Sequence, residues 1–176
     1  MRRVGMITAL SMLLLALSAS PALAAISTTI NPANAPTGAH FQARSSPSCT
    51  VSGLTVTCSS YQIAGVGNAN ASAALTAHYT ATVDCFNPGT NPNNPIESHQ
   101  TSFSQTSTSG QLSPKNGKLT VPQLSASPSG GLPAATSCPN PNWTPTIRPG
   151  SLHLTSFTYT LTFAGFTGAF ITITGP

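Results

Sequence analysis

Carboxylates are almost missing from this chain: Asp84 and Glu97 are the only two acids in 176 residues. That scarcity excludes most acid–base enzymes, which need several proton-transfer groups converging on one bond. Glycosidases use two carboxyls that flank the scissile bond. Here Asp84 is expected at the end of a strand and Glu97 at the end of a loop, so no preorganised pair is expected. Cations are also few, at six, and they are scattered. They make no stripe that could follow a phosphate backbone, so nucleic acid is not expected as a partner.

Other absences narrow the chemistry further. No GxSxG elbow accompanies the serines, which argues against a hydrolase built on that turn. The four histidines (His40, His78, His99 and His153) are dispersed, HExxH and CxxC spacings are lacking, and neither a metal site nor a cofactor is expected. His78 shares a strand face with Asp84, yet six strand residues separate them by roughly 20 Å. No catalytic residue is therefore assigned. Helical apolar spacing with caps is absent, and so is any internal repeat.

The one long apolar run stands at the start. MRRVGMITALSMLLLALSASPALA has Arg2 and Arg3, an apolar core over Ile7–Leu17 and a small-x-small site at Ala22–Ala24, the three parts of a secretory signal. The run is shorter than the ~20 residues of a membrane span and ends at Pro21. Residues 1–24 are read as a signal peptide, residues 25–48 as an N-terminal strand and connector, and residues 49–176 as one domain. After cleavage the chain carries Arg44, Lys115, Lys118 and Arg148 against two acids, a net charge of +2. The expected product is extracellular, with no membrane insertion once the signal is gone.

What is abundant is Thr, Ser, Ala, Pro and Gly, together with an even set of cysteines. Cys49, Cys58, Cys85 and Cys138 in an exported chain read as two disulfides. The pairing favoured is Cys49–Cys58 with Cys85–Cys138. The first pair brackets TVSGLTVT, whose regular ladder sets Thr50 opposite Thr57, Val51 opposite Val56 and Ser52 opposite Thr55. Gly53-Leu54 is then a two-residue loop with glycine first, as a type II′ turn prefers. The same register places the two cysteines within bridging reach.

Strand signals run through the rest. SAALTAHYTATVDC, residues 72–85, alternates strictly, with Ala73, Leu75, Ala77, Tyr79, Ala81, Val83 and Cys85 on one face. Asn87–Pro95 reads as a loop, HQTSFSQTSTS as an edge strand burying only Phe103, PKNG as a turn, and KLTVPQL as a strand ended by Pro122. SASPSGGLPAATS reads as a connector. In SLHLTSFTYTLTF the apolar parity changes between Leu154 and Phe157, which predicts a bulge at Thr155–Ser156 or a passage between packing surfaces. AGFTG is a turn, and Ile171 and Ile173 mark a last strand. The fold class expected is all-β: an antiparallel, immunoglobulin-like β-sandwich with disulfides.

Trp143, the single tryptophan, lies in CPNPNWTP among Pro139, Pro141 and Pro145. The favoured reading makes it a plug over the nearby bridge at one end of the sandwich. The alternative makes Trp143, with Asn140 and Asn142, a ligand-binding surface for a glycan or an extracellular protein, held rigid by the prolines. Asn70-Ala71-Ser72 and Asn142-Trp143-Thr144 also match the N-glycosylation pattern.

The motifs CTVSGLTVTC, AGVGNANASAALTAHYTATVDCFNPG and CPNPNWTP together resemble small secreted four-cysteine β proteins of filamentous actinobacteria. The resemblance spans about residues 45–174. It implies a secreted β domain and carries no assigned activity and no functional residues. Three functions are thus carried forward: a non-catalytic binding or structural module at the cell envelope, a small hydrolase inhibitor presenting Asn87–Pro95 or Pro139–Pro145, and a glycan-binding module.

Overall fold

Alternation of apolar and hydroxyl side chains builds the whole molecule. The computed structural model describes residues 25–43, 45–89, 94–128 and 137–176; residues 1–24, read above as a signal peptide, lie outside them. Among the described residues there are twelve strands: β1 (Ser27–Ile30), β2 (His40–Phe41), β3 (Cys49–Ser52), β4 (Thr55–Cys58), β5 (Tyr61–Ala64), β6 (Ala71–Phe86), β7 (Glu97–Leu112), β8 (Lys118–Val121), β9 (Leu124–Ala126), β10 (Thr144–Ile147), β11 (His153–Phe163) and β12 (Ile171–Gly175). A short 3₁₀ turn at Pro32–Asn34 is capped by the Asn31 side chain. Every strand pairing is antiparallel.

The larger sheet has six strands and is organised by β6. On one side β6 pairs with β7 along nearly its full length. On the other it pairs first with β11, over Ala71–Thr80, and then with β10, over Val83–Phe86. Beyond β11 come β12 and β1. The N-terminal connector therefore contributes an outer strand to the main sheet. The second layer consists of two three-stranded sheets, β2-β5-β8 and β3-β4-β9. They are successive halves of shared chain paths, since only Ser59-Ser60 separates β4 from β5 and Pro122-Gln123 separates β8 from β9. Proline lacks the donor a ladder needs, so a break at Pro122 is the natural place for such a division.

Between the layers lies one apolar core. β6 gives Ala73, Leu75, Ala77 and Tyr79, β11 gives Phe157, Tyr159, Leu161 and Phe163, and β12 gives Ile171 and Ile173; the second layer answers with Val56, Tyr61, Ile63, Leu119 and Val121. Two polar ties cross it. The hydroxyls of Tyr61 and Tyr159 are 2.8 Å apart and buried, and Tyr79 donates to Leu54 O at 2.9 Å. Burial raises all three phenols above the ordinary tyrosine value, because an ion there would lose its hydration. They stay neutral hydrogen-bonding groups.

Several expectations are met residue by residue. The first hairpin has the register Cys49–Cys58, Thr50–Thr57, Val51–Val56 and Ser52–Thr55. Gly53 takes φ +58° and Leu54 does not take a positive φ, as a type II′ turn requires. Both disulfides form as paired above, with Cα separations of 4.0 Å and 5.8 Å. The parity change in β11 is a bulge between Leu154 and Ser156, which lets Leu154 face inward opposite Tyr79. PKNG carries Asn116 at φ 50° and Gly117 at φ 69°, a type I′ geometry. This turn moves the chain from the large sheet to β8 in the second layer.

Two expectations change. Residues 124–126, read as the tail of KLTVPQL and the start of the connector, form β9 against β4, because Leu124 and Ala126 supply two more core side chains. Residues 129–136 of the same connector lie outside the described residues, as do 90–93 of the Asn87–Pro95 loop. Thr144 and Pro145, read as part of a rigid loop, begin β10 and pair with Phe86 and Cys85. Pro145 is tolerated because β10 is an edge segment whose missing donor interrupts no further ladder. Neither disulfide joins the two layers. Cys49–Cys58 links neighbours within one sheet, and Cys85–Cys138 ties β6 to the segment leading into its own neighbour β10.

Candidate functional site

The two ends of β6, about 50 Å apart in a 16-residue strand, are built very differently. At the C-terminal end, Asp84 falls on the outer parity of the strand yet is buried there, as Cys85 beside it is on the inner face. Arg148, just after β10, grips Asp84 with two nitrogens, Nε at 3.1 Å and Nη2 at 2.7 Å. Ser98 on β7 donates to Asp84 at 2.6 Å and accepts from Arg148 at 3.0 Å. The Arg148 hydrogen bonds, followed by the Ser98 bond, hold the Asp84 carboxyl below the usual aspartate range. The same contact raises Arg148. This is a bidentate, charge-assisted bracket. It fastens β10 to β6 and β7, and it leaves the carboxylate occupied and ionised at neutral pH.

The sequence-predicted ligand residues belong to this end. Trp143 is half-buried and stands outside the connected set of core side chains. Its backbone N–H donates to Asn140 O at 3.0 Å, and the backbone N–H of Asn142 donates to Asn140 Oδ1 at 3.0 Å. Asn140 is thus the knot of a tight turn that leads Cys138 into β10. Asn142 is exposed and Asn140 half-buried. Glu97 is exposed on β7 opposite Cys85, apart from the Arg148 bracket.

The histidines stay apart. His78 pairs with Ser104 and Asp84 with Ser98, three outward positions further along. His40 and His153 are exposed on other strands, whereas His99 falls on the inward parity of β7, where its Nδ1 is buried without a partner among the described residues. No group of three or more metal-ligating side chains gathers among the described residues.

The N-terminal end of β6 holds the feature that sequence reasoning missed. A cleft of about 360 Å³ is lined by Asn70, Ser72, Gln111, Thr162, Phe163 and Phe166. Ser72 is directly opposite Gln111 on one side and Thr162 on the other, so the three form a rank across adjacent strands. Gln111 reaches that rank because β7 bulges. Ser72 pairs with Gln111 but Ala74 with Thr108, and Ser109 Oγ accepts the Ala73 N–H at 2.9 Å within the irregularity. The inserted residue reverses the parity of the strand end, sending Leu112 inward and Gln111 outward. Phe166, in the Ala164–Gly168 turn, meets Phe163 edge-on at 6.4 Å.

Adjoining clefts continue on both sides. Phe166 also lines a space of about 460 Å³ along Pro32–Ala39, and Gln111 one of about 340 Å³ that runs to Lys115 and Lys118. The signals available in the sequence were the AGFTG turn and Asn70. Neither says that a bulge on β7 brings Gln111 beside them.

No family model, curated protein or solved structure matches this chain. Among the described residues no helix is long and apolar enough to cross a membrane.

Proposed function

We propose that the mature chain is an exported, non-catalytic β-sandwich of immunoglobulin-like character that serves as a binding or structural module at or outside the cell envelope. One observation carries the reading. The carboxylate that the fold draws in, Asp84, is bracketed by Arg148 and Ser98, an arrangement that clamps strands and gives the acid no proton to deliver. The two disulfides support export, since such bonds persist in oxidising compartments. The outer parity of β6 and β7 carries hydroxyls, and some of these pair with each other, as Thr76 and Thr106 do at 3.0 Å. That face suits a stable presence in water rather than chemistry.

The test uses the oxidised protein beginning after Ala24. It is passed as bait over envelope fractions and culture supernatant, and it is assayed against chromogenic ester, peptide and glycoside substrates. Specific retention of an envelope polymer or secreted protein, with turnover at the buffer rate, is the expected outcome. Turnover that disappears in Asp84→Asn would overturn the reading.

A further inference from the structure

We infer that the cleft at the N-terminal end of β6 is a binding site for an uncharged polysaccharide chain, with Phe166 as its apolar wall and Asn70, Ser72, Gln111 and Thr162 as its polar contacts. The inference rests on the module reading above and specifies the ligand and the site.

Four observations converge. The lining combines amide and hydroxyl groups with an aromatic ring and includes no acid or base. Sugars display the matching surface, with hydroxyls that both donate and accept around a ring bearing apolar C–H groups. The polar side chains of Asn70, Ser72, Gln111 and Thr162 make no hydrogen bond to other described residues, whereas Thr76 and Thr106, two pleats along the same face, satisfy each other. Ligand binding would therefore sever no internal bond.

The third observation is the bulge that turns Gln111 outward. Such irregularities commonly re-aim a side chain beside a functional site. Here it completes a rank at the strand spacing of about 4.8 Å, comparable with the length of one pyranose unit. Finally, the cleft is not isolated. Phe166 and Gln111 each also line a neighbouring hollow, so three hollows follow one another past the end of β6. A row of hollows suits the successive units of a polymer. A single small molecule would need the more enclosed pocket that most ligand sites provide.

The site is distinct from the Trp143 turn, which lies at the opposite end of β6. That separation makes the proposal directly testable. The oxidised mature protein, with Asn70 shown by intact mass to be unmodified, is run in affinity electrophoresis through gels containing cellulose derivatives, glycol chitin, xylan, mannan or mixed-linkage glucan. Poly-L-proline serves as a peptide control.

Retardation by at least one neutral polysaccharide is expected. Phe166→Ala, and independently the double variant Ser72→Ala with Thr162→Val, should weaken it by about tenfold or more. Trp143→Phe should leave it unchanged. The hydroxyl variants keep shape nearly constant, so their melting curves should overlay the parent and exclude loss of fold as the cause. The proposal is overturned if none of the polysaccharides retards the protein, if only poly-L-proline does, or if Trp143→Phe abolishes binding while the cleft variants retain it. Capture of a secreted protein with no polysaccharide binding would sink this inference and leave the module reading standing. Enzymatic turnover would sink the module reading itself.

Discussion

One end of β6 is locked and the other is open. At the locked end, the Cys85–Cys138 bridge, the Asp84–Arg148–Ser98 bracket and the Asn140 turn bind β6, β7 and β10 into a unit. At the open end, backbone ladders run out into the Ala164–Gly168 turn, and polar side chains line a groove with no internal partners among the described residues. The same strand thus carries stability at one end and unsatisfied hydrogen-bonding capacity at the other. Polar groups in water cost little when left unpaired and remain available, whereas a charged pair at a strand junction gains most when its geometry is held. The lesson is that the most conspicuous residues of the sequence mark the fastening, and the inconspicuous ones mark the recess.

The largest effect expected is at the locked end. The Cys85–Cys138 bridge spans 53 residues, so replacing both cysteines by alanine should cost about 4 kcal/mol in the chain-entropy model. Cys49–Cys58 spans nine, and its removal should cost less, about 2.5 kcal/mol on the same model. Denaturant unfolding of the two double variants measures both, and equal losses would break the comparison. Polysaccharide binding should survive either change under native conditions if the ends are independent.

Next comes the buried phenol pair between the layers. Tyr61→Phe or Tyr159→Phe leaves the other hydroxyl buried without its partner, at a cost of about 1–3 kcal/mol each. The double variant removes both polar groups and should cost less than the sum of the two. A double-mutant cycle reads that coupling; strict additivity would mean the hydroxyls do not act as a pair.

The smallest effect sharpens the locked end alone. Asp84 has a lowered pKa in the folded state, so its stabilisation is full above the ordinary aspartate range. It is lost as the pH falls below that range and through the lowered folded value. Acid unfolding of the parent should therefore show a stability loss across that window, and Asp84→Asn should flatten it while lowering stability at neutral pH. An unchanged acid profile in Asp84→Asn would remove the bracket from the account.

Much of this architecture is legible along the chain. Strict alternation around Tyr79 places β6 and its inward face, Gly53-Leu54 between cysteines sets the first hairpin and its register, and the shift from Leu154 to Phe157 marks a bulge. Each of these signals is local, because side-chain period, turn chemistry and cysteine spacing act within about ten residues. β9 and β10 escaped such reading for the same reason. Three or four residues interrupted by serine or proline show no period of their own, and they become strands because β4 and β6 offer them an edge.

The site followed the same division. Trp143, Asn140 and Asn142 drew notice through composition, and their role in the turn depends on Cys138 reaching Cys85 across 53 positions. The Asp84–Arg148 bracket joins residues 64 apart, beyond any local pattern. Ser72, Gln111, Thr162 and Phe166 were unremarkable singly.

By itself the amino-acid order determined the long strands, their inward faces and the Cys49–Cys58 hairpin, since these rest on short-range sterics and hydrophobic period. Tertiary structure alone decided that a bulge turns Gln111 toward Ser72 and Thr162, and that Arg148 neutralises Asp84. Those groupings exist only once β6 has neighbours on both sides, because a sheet brings side chains together across its strands while the sequence runs along them.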